Sequence, residues 1–255
     1  MPATVNNSSF ELDVASMGGV AQAIPTDWTA FNELASGDIG SQRAGGTDYT
    51  VFDPLAAPAS GNQYCYVNMF NPGVPGGIYQ DVGALQANTT YTLTVAIGSR
   101  ADRINSPGII SLVNGTDDTG TVLAAGGGLP VTRNSWQDYT ASFTTGAAVS
   151  GDLTMMLSVI GAGTIQADFD NVRLTAAAVP VAPALGTPAV SGGYLILTGA
   201  GGTPNQPYTW LSTTNLAGPL PDWITNSTGV LSPTGACSNA IPLSAPAQFF
   251  KLRLP

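Results

Sequence analysis

The sequence contains no histidine and little charge. Of its 255 residues, 7 are Lys or Arg and 16 are Asp or Glu. The absence of His removes the commonest general base, and with it Ser-His-Asp triads and His-ligated zinc or copper sites. The net charge of −9 would repel the phosphates of a nucleic acid. We therefore expect neither a His-dependent enzyme nor a nucleic-acid-binding protein.

Long apolar runs and cysteines are also scarce. The chain has no run of about 18 apolar residues, so no membrane-spanning segment is expected. Cys65 and Cys237 are the only two cysteines. They are compatible either with one disulfide bond between domains or with two buried free thiols.

Glycine, proline and short alternating segments dominate what the sequence does contain. The 31 Gly and 19 Pro residues separate segments in which apolar and polar side chains alternate with a period of two. No segment shows a run of helical periodicity. This pattern predicts an all-β protein whose first domain is a jelly-roll β-sandwich. The clearest alternating segments are residues 64–69, 90–99, 136–144, 152–160 and 165–174.

A segment rich in Pro and Ala divides the chain. Residues 175–190 contain no charged side chain and read as an extended crossover or a semi-rigid linker. We place the linker at residues 178–186. The jelly roll then occupies residues 1–177, and residues 187–255 are predicted to form a small Ig-like or fibronectin-like β-sandwich.

The order of the motifs resembles a known class of β-domain. "VNNSSFE", "NQYCYVN", "SWQDYTASFTTGA" and "ADFDNVRL" follow one another as in galactose-binding-like jelly rolls, which include carbohydrate-binding modules. The resemblance covers residues 5–175 and implies a secreted or cell-surface protein. The later motifs "LTGAGGTPNQPYTWLSTTNL" and "FFKLRLP" resemble a small C-terminal β-domain of secreted proteins from Verrucomicrobia-like bacteria, to which no chemistry is attached.

Residues 167–174, "ADFDNVRL", place two acids on one strand face. Asp168 and Asp170 are two positions apart, so their carboxylates point the same way and repel each other. In the jelly rolls that this chain resembles, a Glu of the first strand and an Asp of the closing strand share a structural calcium ion, which implies Glu11 and Asp170 as Ca²⁺ ligands. Arg173 is a competing partner for either Asp, and solvated acids are a third alternative. Asp168 is expected to face solvent.

Tyr64, Tyr66 and Asn68 share one face of a predicted strand. Sugar binding requires flat rings for the apolar side of the sugar and planar polar groups for its hydroxyls, and this row supplies both. We expect Tyr79 to repeat the arrangement on a neighbouring strand. Arg100, at a strand end, would suit an anionic sugar at the rim of the site. The alternative is a face closed by loops or by the second domain.

Three functions follow from these patterns. The leading one is a secreted, non-catalytic protein that binds a polysaccharide through this tyrosine-lined face and holds a structural calcium ion. The second is an extracellular structural or adhesion protein that self-associates through its edge strands, and a groove plugged by loops would favour it. The third is a polysaccharide lyase or hydrolase, for which the sequence contains no convincing catalytic constellation.

Overall fold

The computed structural model shows a chain that divides into two compact units, Met1–Ala178 (unit 1) and Val179–Pro255 (unit 2). It describes residues 4–13, 15–33, 35, 38–69, 73–103, 105–160, 165–243 and 248–254. Within the segment predicted as a linker, Ala178 ends the last strand of unit 1, and Ala184–Leu185 form a short strand of unit 2.

Two antiparallel sheets make up the described part of unit 1. One has the strand order β1-β3-β4-β11-β6-β9 and the other has the order β2-β5-β10-β7-β8. The all-β class and the jelly-roll sandwich predicted from the sequence are confirmed. The strands are β1 (Val20–Ala21), β2 (Thr29–Phe31), β3 (Ile39–Arg43), β4 (Gln63–Met69), β5 (Gly76–Ala84), β6 (Thr89–Ser99), β7 (Gly108–Asn114), β8 (Thr121–Gly128), β9 (Ser135–Thr144), β10 (Asp152–Val159) and β11 (Ile165–Ala178).

The main core lies between these sheets and follows the period-two pattern. On β6, Tyr91, Leu93, Val95 and Ile97 are at most 3% exposed and belong to this core. The threonines between them point to the other face, as alternation along a strand requires. Burial of each such apolar side chain contributes about 1.5–3 kcal/mol to folding. The apolar residues of β6 therefore fix which of its faces is buried.

A second apolar cluster covers the opposite face of the six-stranded sheet. The connection between β3 and β4, residues 44–62, is here called the covering segment. It packs onto side chains of β4, β6 and β9 that point away from the main core. The face on which the sequence predicts an open groove is therefore partly closed by this loop. The cluster consists of Ala44, Tyr49, Leu55, Ala59, Tyr64, Tyr66, Ala96 and Trp136.

Strand β11 contains a bulge immediately after its second acid. Its register with β6 shifts between Asp170 and Arg173, and Asn171 has a φ of 45°. Asn tolerates this left-handed conformation better than most residues do. The extra residue allows Phe169 and Val172 to face the main core although they are three positions apart.

The described part of unit 2 is a small sandwich of two sheets. One contains β12-β14-β13, with β17 also paired to β14, and the other has the order β16-β15-β18. Leu197 and Ile241 of the first sheet share a buried cluster with Trp210 of the second. The strands are β12 (Ala184–Leu185), β13 (Ala189–Ser191), β14 (Tyr194–Ala200), β15 (Pro207–Thr213), β16 (Ile224–Val230), β17 (Cys237–Pro242) and β18 (Phe249–Arg253).

Both cysteines are buried and free in the structure, Cys65 in unit 1 and Cys237 in unit 2. In the described ranges, no helix has the length and apolar character needed to cross a membrane.

Candidate functional site

Asp168 occupies the middle of β11, between two neighbouring strands. Its Cα partners are Tyr66 on β4 and Gly98 on β6. Its side chain points away from the main core and lies beneath the covering segment, where it is fully buried. The expectation that Asp168 faces solvent is therefore wrong.

Three neutral donors hold the Asp168 carboxyl group. The Tyr49 hydroxyl and the Asn105 amide donate to Oδ2 at 2.8 and 3.1 Å, and the Gln166 amide donates to Oδ1 at 2.5 Å. Burial raises the pKa of Asp168 to about 6, while the positive charge of Arg100 and these hydrogen bonds act in the opposite direction. Desolvation wins because no cation forms an ion pair with this carboxyl group among the described residues.

Three aromatic rings surround the same site. Tyr49 stacks on Trp136 with ring centroids 4.8 Å apart, and Tyr64 meets both rings edge-on at 5.5 and 5.7 Å. Gly98 makes room for this arrangement, because a Cβ there would collide with the Tyr49 hydroxyl and lie 2.9 Å from carbons of the Trp136 ring. The buried Nε1 of Trp136 has no hydrogen-bond partner among the described residues.

A buried polar network continues from these rings to the end of β6. The Tyr64 hydroxyl donates to Asp48 at 2.9 Å and accepts from Arg100 at 3.2 Å. Arg100 also donates to the side-chain oxygen (Oε1) of Gln42 at 3.1 Å and donates two hydrogen bonds of 2.8 Å to the Asp102 carboxylate. Arg100 is therefore a buried, fully paired residue and is not free to bind a ligand at a rim. Its guanidinium group lowers the pKa of Asp102.

An open cleft of about 420 Å³ lies beside this network. Two of its wall residues, Arg100 and Gln166, also belong to the surroundings of Asp168, which itself does not line the cleft. The acid is therefore separated from the cleft by one layer of side chains. The cleft is lined by Gly18, Val20, Gln22, Gln42, Thr47, Tyr66, Asn68, Arg100, Asp102, Arg103 and Gln166.

The predicted ligand-binding residues are brought together only in part. Tyr66, Asn68 and Arg100 line the cleft. Tyr64 is 0% exposed and lies under the covering segment, so it has no surface on which a ligand could stack. Tyr79 lies on β5 in the other sheet, where its ring is 6.4 Å from that of Phe31. The prediction that it occupies a strand next to β4 is wrong, because the chain changes sheet between β4 and β5.

Glu11 and Asp170 come together at the covering segment. Glu11 Oε1 accepts from the backbone amides of residues 62 and 63 at 2.6 and 2.7 Å, and Asp170 Oδ2 accepts from that of Ser60 at 2.7 Å. Burial raises the pKa of Asp170 well above its usual value, and the negative charge of Glu11 adds to the effect. Arg173 forms its ion pair with Asp138 instead.

This pair of carboxylates is chemically suited to a hard cation, which would remove their mutual repulsion. In the part of the chain that the structure describes, no third acidic, His or Cys side chain completes a metal-binding group. Backbone carbonyl or water oxygens would have to supply the remaining ligands of a calcium ion, so calcium stays a prediction.

Several residues of the site were not identified from the sequence. Asp48 and Tyr49 lie in the irregular covering segment, Asn105 lies in a loop after β6, and Trp136 lies near the start of β9. The Gln166 amide neighbours the acid on the same strand. A Gln-x-Asp sequence, which places both side chains on one strand face, is the only local signal that could have indicated the hydrogen bond between Gln166 and Asp168.

Comparison with known proteins gives a family and a fold. A cyclase from Fischerella sp. TAU, solved in complex with 4-(1H-indol-3-yl)butan-2-one, is similar over 71% of this chain and 100% of its own, with 22% identity and a TM-score of 0.58. At this identity the likeness concerns the fold. Two carbohydrate-binding modules align less closely. A CBM4 structure has 15% identity over 68% of this chain and 99% of its own, with a TM-score of 0.39. A family 16 carbohydrate-binding module-2 has 21% identity over 54% of this chain and 85% of its own, with a TM-score of 0.35.

No curated protein matches the chain. The model of the HpiC1-like family, described as HpiC1 cyclase, matches residues 1–175, which is nearly the whole of unit 1. Through these residues the chain belongs to the HpiC1-like cyclase family.

Proposed function

We propose that unit 1 is an enzyme of the cyclase type in which Asp168 donates the proton that starts ring closure. The observation that carries this proposal is the state of Asp168, a fully buried carboxyl group with a pKa of about 6 next to three aromatic rings. An acid with a pKa near neutral pH can both give a proton to a substrate and take one back. Membership of a cyclase family supports the same reaction class.

The proposed reaction is an isomerisation that needs no external oxidant or reductant. The O–H bond of Asp168 breaks as its proton bonds to one carbon of a substrate double bond, which leaves a carbocation. The π electrons of a second double bond or of an aromatic ring then form the new carbon–carbon bond. A proton lost from the cyclised cation returns to the Asp168 carboxylate. The ring of Tyr66, which lines the cleft, would stabilise the cation.

The hydrogen bonds assign different roles to the two carboxyl oxygens. Tyr49 and Asn105 both donate to Oδ2, whereas among the described residues only Gln166 donates to Oδ1. Gln166 also lines the cleft. Rotation of this one side chain would expose Oδ1 to the cleft while Oδ2 stays hydrogen-bonded. Oδ1 is therefore the proton-donating oxygen in this proposal, and Gln166 is a positioning residue.

Deuterium incorporation tests the proposal. The protein is incubated in D₂O with an indole that carries an unsaturated side chain, and carbon-bound deuterium in the product is measured by mass spectrometry. We expect incorporation by the wild-type protein and by Asp138→Asn, which alters an exposed acid away from the cleft. We expect none by Asp168→Asn. Equal incorporation by Asp168→Asn and the wild type would remove Asp168 as the acid.

The polarity of the cleft favours a second candidate, a non-catalytic protein that binds a saccharide. Most of the lining side chains are amides, hydroxyls or ions, which match sugar hydroxyls. Asn68 and Gln22 would contact the ligand, and Tyr66 would form part of the wall. A glycan array with and without calcium tests this candidate. Binding that Asn68→Ala abolishes and Asp168→Asn leaves intact would favour it over the enzyme.

Under either function, we propose that Glu11 and Asp170 hold a structural calcium ion and that the protein acts outside the cytoplasm, at the cell surface or in secreted form. The two carboxylates that converge on the covering segment support the ion. The predicted self-association through edge strands also remains a proposal, and sedimentation velocity of the full chain would test it.

A further inference from the structure

The positive charges of unit 1 are concentrated beside the cleft. Residues 1–178 contain fifteen acids, five arginines and no lysine. Three of the five arginines, Arg100, Arg103 and Arg133, meet at the turn that follows β6. Such a concentration of positive side chains is unusual in a chain of net charge −9.

Two of these three arginines are already used by the fold. Arg100 is buried and forms a bidentate pair with Asp102. Arg133 donates to the backbone carbonyls of residues 100, 101 and 103 at 3.3, 2.8 and 2.6 Å, and so fixes the turn. Neither guanidinium group is available to a ligand without loss of these contacts.

Arg103 is the one whose charge is not balanced. Its side chain is 47% exposed and lines the cleft. Its Nη1 donates to the neutral side-chain oxygen (Oε1) of Gln166 at 2.8 Å. Its Nε lies 3.9 Å from Oδ2 of Asp102, a carboxylate that already pairs with Arg100. Among the described residues, its Nη2 has no hydrogen-bond partner. The described residues of the cleft wall therefore include two guanidinium groups and one carboxylate, which leaves one positive charge in excess among them.

We propose that the cleft takes an anionic ligand and that Arg103 binds its carboxylate. A guanidinium group presents its donors in a planar fork that matches a carboxylate, and the resulting hydrogen bonds are charge-assisted. Gln22 and Asn68, on the same wall, would bind neighbouring polar groups of the ligand. This inference rests on the proposed role of the cleft as the ligand site, which both candidate functions share.

Two matched pairs of probes test charge and scaffold separately. The first pair is 3-(1H-indol-3-yl)propanoate and the neutral ketone 4-(1H-indol-3-yl)butan-2-one, which replaces the carboxylate by an acetyl group. The second pair is trigalacturonate and its methyl ester. Titration calorimetry measures the affinity of the full-length protein for each. The two scaffolds distinguish an indole-type substrate from a saccharide, while the comparison within each pair reports only the charge.

We expect the anionic member of one pair to bind about tenfold or more tightly than its neutral partner. Its affinity should fall as salt is raised. Arg103→Gln should abolish the difference without a change in melting temperature, because this side chain is half exposed. Arg173→Gln, which alters an arginine paired with Asp138, is the matched control and should retain the difference in affinity between the anionic and the neutral probe.

Equal affinities within a pair that binds would overturn the inference but leave the cleft as the ligand site. A charge preference that survives Arg103→Gln would overturn the role of Arg103. Failure of all four probes to bind would overturn both the inference and the cleft as the site for either scaffold.

Discussion

The Tyr49 hydroxyl donates a 2.8 Å hydrogen bond to the Asp168 carboxyl group across 119 positions of sequence. It joins the covering segment to β11, an interior strand of the six-stranded sheet. The bond satisfies one buried oxygen of Asp168 and places the Tyr49 ring against Trp136. A loop residue thus completes the surroundings of the candidate acid.

Tyr49→Phe should keep the ring and remove only the hydrogen bond. The ionised form of Asp168 then loses a donor, so its pKa should rise further above about 6. We expect a loss of about 1–3 kcal/mol in the free energy of unfolding at pH 7, measured by urea titration. Tyr139→Phe removes a hydroxyl that bonds to no described residue, and it should have little effect. An equal loss in both variants would contradict the assignment.

The stability of unit 1 should depend on pH through Asp168. Its pKa in the folded state is about 6, above the ordinary Asp pKa of 3.8, so the folded state binds the proton more tightly. This stabilising contribution is fully present below the unfolded pKa and is lost as pH rises through about 6, with a total of about 3 kcal/mol. Asp168→Asn should lack this pH-dependent contribution to the free energy of unfolding. Urea titrations between pH 4 and 7, carried out in EDTA, measure it. The same pH dependence in Asp168→Asn and the wild type would show that Asp168 is not its source.

Gly98→Ala should disturb the aromatic cluster. The added Cβ would collide with the Tyr49 hydroxyl and crowd the Trp136 ring. Overpacking of this kind costs about 1–3 kcal/mol, and displacement of the rings should change the near-ultraviolet circular dichroism spectrum. Gly146→Ala, where a Cβ would meet nothing within 4 Å, is the control. A wild-type spectrum for Gly98→Ala would mean that the rings do not pack against β6 as described.

Calcium should raise the melting temperature if Glu11 and Asp170 bind it. Free ion at about 100 times its dissociation constant adds about 2.7 kcal/mol. For a unit of this size, that corresponds to about 5–11 °C, which EDTA should remove. Glu11→Gln should melt at the same temperature with and without EDTA. A wild-type protein that is indifferent to both calcium and EDTA would exclude the ion.

The strands could be predicted from the sequence because their burial follows a local period. The alternation over residues 90–99 corresponds to β6 (Thr89–Ser99), with the apolar set inside. The fate of the other face could not be predicted in this way. Tyr64 and Tyr66 were correctly placed on one side of their strand, but the covering segment that buries them has no periodicity to indicate where it lies.

The environment of Asp168 was beyond sequence analysis for a similar reason. Tyr49 and Asn105, which hold Oδ2, come from two irregular segments, and only the folded chain brings them to β11. Tyr79 was misplaced because β4 and β5, although consecutive in the chain, belong to different sheets. A single sequence contains no register information across such a crossover.

The bulge at Asn171 constrains the length of β11 as well as its composition. Before the bulge, odd-numbered positions such as Phe169 face the main core, and after it even-numbered positions such as Val172 and Leu174 do so. Removal of one residue would restore a uniform count and turn one half of the strand over, with either the acids inside or the apolar residues outside. This stretch should therefore tolerate neither a deletion nor an insertion.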